Sequence, residues 1–369
     1  MVGARPYASY EDLVGVEDVE VVDVCLPTAF HRDLAVRAAG EGRHVILEKP
    51  IARTIADAQA ILDAADFVGI ADEDADRGAN AAEQFGVRFF DSAASLFEEI
   101  EAAVVCSENR NHVRDVIPAL QDGVHVLCEK PISTTLDDAR DMIRASETSG
   151  SQLRTAFPVR YLPSMVRARE IVREGSLGRV LAINGTNRGK IPGGWFLDPE
   201  LAGGGAVMDH TVHLADVLRW MLDVEVKSVY AEVDSFFGAG GTDDAAILTL
   251  ELEGGPFAEG VFATIDPSWS RGYPTWGDVT LRIAGTSGVL AVDPFAQPLR
   301  TFDHASGSPS WSYTGEDMNA LMLADFLRGV AEGEPSGASG LDGLRTLEVV
   351  LAAYRSGEAH EPKQVERTP

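Results

Sequence analysis

Ala102-Ala103-Val104-Val105-Cys106 and His125-Val126-Leu127-Cys128-Glu129-Lys130-Pro131 are the two stretches whose reading decides the fold. Both are short, apolar and rich in β-branched residues, as buried parallel strands require. Between them, 111–120 has helical spacing, and after them 135–146 reads as a helix with Thr135 in the N-cap position. Strand, helix, strand, helix is the pattern of a doubly wound parallel sheet. Further upstream, 67–71 reads as a strand ending in Asp72, with a helical run to about Phe85.

The same pattern occurs earlier in the chain. Cys25 and Cys106, His31 and His112, Gly42 and Gly123, and the Lys49 and Lys130 tripeptides Glu-Lys-Pro are each 81 residues apart. Over 42–58, ten of seventeen residues equal their partners at that offset, too many for chance composition. Two copies do not make a solenoid. Residues 1–65 therefore read as a partial duplicate of a nucleotide-binding half-domain, with 66–156 as a Rossmann-like domain lacking its first strand. The Gly-x-Gly-x-x-Gly turn that lets backbone approach a pyrophosphate is absent before Phe67. From Val224 onward, β-rich segments (227–233, 245–252, 261–265, 279–283) with Gly-rich turns take over, and two helical runs (319–331, 341–356) follow. Residues 157–369 read as a second α/β domain, with 361–369 as a polar tail without a packing signal.

Composition narrows the function. The chain of 369 residues carries 58 Asp and Glu against 31 Lys and Arg, a net charge of −27, with 45% apolar residues. It is a folding sequence, but it offers no basic face for nucleic acid or anionic lipid. Only five cations are lysines, and dense carboxylates with scarce lysine suggest a halophilic, high-salt cytoplasm. Three cysteines in strand-like runs argue against a disulfide scaffold. No run reaches 18 apolar residues, so no membrane span is expected, and the protein reads as cytoplasmic.

Glu129-Lys130-Pro131 after a buried strand, followed by Gly203-Gly204-Gly205-Ala206-Val207-Met208-Asp209-His210-Thr211-Val212-His213, resembles the glucose–fructose oxidoreductase / inositol dehydrogenase (Gfo/Idh/MocA) family. Phe157-Pro158-Val159-Arg160-Tyr161 resembles its crossover strand, and Ser176-Leu177-Gly178-Arg179-Val180 the opening of its second domain. The resemblance implies a Rossmann-like domain plus an α/β domain with a large, mainly antiparallel sheet that makes a homo-oligomer contact. It implies NAD(P)-dependent hydride transfer from a sugar, cyclitol or related polyol, with Lys130, Asp209 and His213 as catalytic residues. Asp72, Asn109, Glu129, Lys130 and Arg160 would contact the cofactor, and the acid at Asp72 favours NAD over NADP.

The chemistry agrees with that reading. Asp209 and His213 are four apart, hence on one helix face. An imidazole suits removal of a hydroxyl proton, and a compact ammonium suits the developing alkoxide. The plainer alternative for the pair is a cap and a satisfied core histidine; for Glu129 and Arg160, an ordinary ion pair; for Lys49, a leftover of the duplication. His210 should turn about 100° away from Asp209, so no metal is expected. Trp195 and Phe196 would stack on a sugar or fill a domain interface. A catalytically inactive remnant, or a polyol-binding or scaffold protein without a dinucleotide site, is the alternative function.

Overall fold

The computed structural model describes residues 21–24, 44–47, 67–238, 241–256, 260–270, 277–295, 300–303, 308–311 and 317–367, with the single residues Tyr10 and Ala258. Lys49 and most of the duplicated segment lie outside the described residues. The chain divides into two compact units, residues 1–69 with 82–88, and residues 70–81 with 89–369. In the first, Val21–Val24 (β1) and His44–Leu47 (β2) pair in parallel, Val21 opposite His44 and Val24 opposite Leu47.

The nucleotide-binding part follows in chain order: Gly69–Ala71 (β3), Ala75–Phe85 (α1), Arg88–Phe90 (β4), Ala93–Phe97 (α2), Ala102–Val105 (β5), His112–Gln121 (α3), His125–Cys128 (β6), Leu136–Ser149 (α4) and Leu153–Thr155 (β7). β5, β6 and β7 form a parallel three-stranded sheet, and β3 and β4 form a separate two-stranded one. β6 is continuous in its apolar character because both faces are covered; Val126, Leu127 and Cys128 are buried. α4 starts where the sequence indicates: the Thr135 hydroxyl accepts the Asp138 N–H at 3.2 Å, and Gly150 ends the helix in the left-handed conformation. Phe157-Pro158-Val159-Arg160-Tyr161, expected as a strand, instead closes into a 3₁₀ turn over Pro158–Tyr161, with β7 just before it. Proline at the start of the turn has no N–H to give a sheet ladder.

The second part contains Pro163–Arg173 (α5), Val180–Lys190 (β8), Pro199–Ala202 (α6), Ala206–Leu222 (α7), Glu225–Asp234 (β9), Ala245–Glu253 (β10), Phe262–Asp266 (β11), Trp269–Ser270 (β12), Gly277–Gly285 (β13), Val289–Val292 (β14), Arg300–Asp303 (β15), Ser308–Trp311 (β16), Met318–Ala331 (α8), Gly340–Ala359 (α9) and Lys363–Gln364 (β17). Its sheet has the order β14-β13-β8-β11-β10-β9-β17, with β12 beside β8; only the β8 pairings with β11 and β12 are parallel. Along β10, Ala246, Leu248, Leu250 and Leu252 point into the core, while Ile247 faces out. Each buried leucine contributes about 1.5–3 kcal/mol. α7 and α9 pack together on the buried face, and fourteen residues of α7 are buried. The 361–369 tail, expected to be unpacked, instead supplies β17. Its backbone pairs with β9, and the Val365 N–H reaches the Lys227 carbonyl at 2.9 Å. No helix among the described residues is long and apolar enough to cross a membrane.

Candidate active site

The site is built where the C-terminal end of β6 meets the N-terminal half of α7. The glycine triplet before α7 is dictated by close approach. A Cβ on Gly204 would stand 2.1 Å from the Tyr354 hydroxyl, and one on Gly205 would stand 1.9 Å from the Asp243 carbonyl oxygen. That intimacy lets other residues cap α7, whose first N–H groups have no partner within the helix. The Asp243 carboxylate accepts the Gly205 and Val207 N–H groups, both at 2.8 Å. The Tyr354 hydroxyl accepts those of Gly205 and Met208 at 3.1 and 3.2 Å, and donates to Asp243 at 2.8 Å.

On this fixed helix, Asp209 turns toward Lys130. The Lys130 ammonium pairs with Asp209 Oδ1 and donates to the Asp209 carbonyl at 3.3 Å. Asp209 Oδ2 accepts the Trp269 indole N–H at 3.2 Å. Burial alone would push the Asp209 carboxyl up; Lys130, then His210, outweigh it and hold it well below the usual carboxylate range.

His210 departs from the expectation that helix geometry turns it away. Its Nε2 lies 3.2 Å from Asp209 Oδ2 and its Nδ1 2.9 Å from the Pro267 carbonyl. A rotation of about 100° per residue separates backbones, but a long side chain folds back across it. No group of three or more metal-ligating side chains occurs among the described residues.

His213 lies one turn further along α7. Its Nδ1 is buried and has no hydrogen-bond partner, while the Phe157 ring meets it edge-on, with centroids 6.1 Å apart. Burial drives its pKa well below that of an ordinary imidazole, and the Lys130 charge adds to the effect. It is therefore a neutral ring at neutral pH, next to a fixed ammonium–carboxylate pair.

The other residues indicated by the sequence have different surroundings. Glu129 stays at the site: its carboxylate accepts the Lys130 N–H at 3.2 Å, and burial raises its pKa against the pull of Lys130. Asn109 is buried and donates to the Ala202 carbonyl at 2.8 Å, tying the turn after β5 to the residue before the glycine triplet. Arg160 belongs to a separate ion cluster, with Nε 2.7 Å from Asp216 Oδ2 and Nη2 3.5 Å from Asp342. Asp72 is gripped by Arg77 at 2.7 and 2.6 Å and accepts the Asp74 N–H at 2.8 Å. Trp195 and Phe196 stack on each other, with centroids 3.9 Å apart, in the 3₁₀ turn Gly194–Leu197. Trp269, Asp243 and Tyr354 carry no sequence signal of their own. They reach the site from strands and helices 34 to 145 residues beyond Asp209, and only folding brings them there.

The residues fit a pyridine nucleotide at its reacting end, where an orphaned imidazole nitrogen and a held ammonium meet. Lys130 and Glu129 would flank the nicotinamide, and Asp72 lies at the end of β3, where the adenosine ribose is held in such sheets. Among the described residues, no glycine-rich turn joins a strand to a helix for the diphosphate.

The parallel sheet thus places a lysine at a strand end, facing Asp-x-x-x-His on α7, in the manner of an NAD-binding oxidoreductase. The chain belongs to the GFO/IDH/MocA family. It matches the "Oxidoreductase family, NAD-binding Rossmann fold" over residues 1–66 and again over 62–157, and the "GFO/IDH/MocA C-terminal domain" over 165–291. The cofactor class is thus NAD or NADP. A 1,5-anhydro-D-fructose reductase of Ensifer adhaerens is 28% identical over 82% of this chain and 91% of its own length. A myo-inositol 2-dehydrogenase of Thermotoga maritima is 28% identical over 83% and 93%. The crystal structure of a probable dehydrogenase from Thermotoga maritima superposes with a TM-score of 0.70 at 26% identity, covering 82% of this chain and 93% of that one.

Proposed function

We propose that the chain oxidises a secondary hydroxyl of a cyclitol, sugar or related polyol. The observation that carries this reading is the Lys130–Asp209 pair beside a neutral, partly unpartnered His213. Asp209 holds the ammonium at a fixed point, and Lys130 donates to the hydroxyl oxygen and stabilises the charge that develops there. His213 takes the hydroxyl proton on a ring nitrogen. Bound NAD or NADP supplies the acceptor for the hydride. The acid at Asp72 supports NAD over NADP. The related 1,5-anhydro-D-fructose reductase and myo-inositol 2-dehydrogenase support a polyol substrate.

The test is polyol oxidation followed by nicotinamide absorbance, with NAD and NADP titrated by calorimetry. Lys130→Ala and His213→Ala are each expected to lower kcat/KM by about 10²–10⁴-fold. Activity within a few-fold of the parent in either variant removes that residue from the mechanism.

One observation favours a second reading, that of a non-catalytic remnant. The strands of the nucleotide-binding part fall into two sheets, β3–β4 and β5–β6–β7, and the glycine turn that would precede β3 is absent from the sequence. Absence of any calorimetric signal at millimolar NAD and NADP would establish this reading over the first. We read residues 1–65 as a second partial copy; the family's two separate matches support it. A homo-oligomer through the second-domain sheet is supported by Leu181, Ile247 and Phe262, exposed on its outer face. Sedimentation should show an oligomer that Phe262→Asp dissociates; a monomeric parent would refute it. Free Cys106 and Cys128 support a reducing, cytoplasmic location.

A further inference from the structure

A cavity of about 550 Å³ opens where α5, the C-terminal end of α7, the start of α9 and the C-terminal segment converge. Five guanidinium groups line it: Arg160, Arg169, Arg173, Arg219 and Arg367. In a chain with 58 acids and 31 bases such a concentration is unexpected. Three of the five are neutralised within the wall. Arg160 is held by Asp216 and approaches Asp342; Arg219 is held by Glu225 and Asp342; Arg367 by Glu253.

Arg169 and Arg173, one turn apart on α5, have no carboxylate within ion-pair distance among the described residues. Asp223, at the exposed rim, is the one lining carboxylate outside these pairs, so Arg169 and Arg173 share a single, solvent-exposed counter-charge. Arg169 is also pre-set in geometry. Its guanidinium lies 4.5 Å from the centre of the Trp220 ring, and its Nε donates to the Trp220 carbonyl at 3.1 Å. Its two terminal nitrogens make no hydrogen bond among the described residues, a fork ready for two parallel bonds to an oxyanion. Burial, then the charges of Arg173 and Arg160, lower its pKa. Two guanidinium groups that share one exposed carboxylate repel each other, and an anion between them relieves that repulsion.

We infer that this cavity is a binding site for a small molecule carrying a phosphate group, held by Arg169 and Arg173 against the Trp220 ledge. A planar guanidinium fork bonds two oxygens of a tetrahedral phosphate at once, and the tighter of two partners reveals whether free phosphate or an ester fills the site. The site shares no residue with the Lys130–Asp209–His213 cluster.

The experiment is calorimetric titration of the full chain with inorganic phosphate, glycerol phosphate and succinate, repeated for Arg169→Gln and Arg173→Gln. Phosphate or its ester should bind, and each variant should weaken that binding by about tenfold or more, with the melting temperature unchanged. Tighter binding of inorganic phosphate would identify the free ion as occupant; tighter binding of glycerol phosphate would identify a phosphorylated small molecule. Absence of binding by both, equal affinity in the variants, or succinate binding as tightly as phosphate would each overturn the assignment. Arg173 is exposed, so its substitution tests the site even if Arg169→Gln perturbs folding.

Discussion

At the residue scale, the site turns on which groups are charged. Burial holds His213 neutral below its ordinary pKa of about 6.5. If it is the base, kcat/KM should stay flat as pH falls through 6.5 and drop only below it. An acid limb at or above 6.5 would exclude it. The same shift makes the fold acid-sensitive. Between the folded and unfolded pKa values the unfolded chain binds a proton that the folded chain does not, so stability is intact above about 6.5 and is lost as pH falls below it. Asp209, depressed by Lys130 against the cost of burial, adds a second loss from about 3.9 downward. Burial lowers the pKa of His112 and His210 as well, so denaturant unfolding across this range should show the first decline reduced in His213→Gln; an unreduced decline would assign it elsewhere. Lys130, Asp209 and His213 were legible because spacing on a helix and position at a strand end are local properties. The roles of Trp269 and His210 were not, since both depend on where a carboxylate oxygen comes to rest.

At the element scale, α7 carries the candidate site and is held by remote caps. Gly205→Ala would place a methyl 1.9 Å from a backbone oxygen, which cannot rotate away. We expect it to destabilise the protein by about 1–3 kcal/mol and to displace Asp209, lowering both melting temperature and kcat. Tyr354→Phe removes a hydroxyl that serves two α7 N–H groups and should cost about 1 kcal/mol. If neither variant alters the melting temperature, the caps contribute nothing to the helix. Strands β5, β6 and β10 could be read from their apolar patterns. β17 could not, because two polar residues at a sheet edge are held by backbone hydrogen bonds alone. The 3₁₀ turn at Pro158–Tyr161 was hidden for a related reason: apolar, aromatic and β-branched residues there are buried in a turn rather than in a sheet.

At the scale of the whole molecule, a net charge of −27 repels itself. Salt shortens the range of that repulsion to about 10 Å at 0.1 M and 3 Å at 1 M. Thermal midpoints should therefore rise as potassium chloride increases over this interval. A midpoint that is flat or falls with salt would mean that local ion pairs, of which Arg219 with Glu225 and Asp342 is an example, outweigh the overall repulsion.

The class of fold and the family can be read from the sequence alone, because strand and helix periodicity and short motifs are written in neighbouring residues. The sequence also shows that no Gly-x-Gly-x-x-Gly turn precedes Phe67 and that ten of the seventeen residues 42–58 recur 81 positions later. Only the tertiary structure decided what each charge faces. Arg160, expected by resemblance to contact the cofactor, pairs with Asp216. Asp72 meets Arg77. Arg169 and Arg173 converge on a cavity where neither has a carboxylate within ion-pair distance among the described residues. Electrostatic partners are set by distances of a few ångströms between residues far apart in the chain, and linear order does not encode those distances.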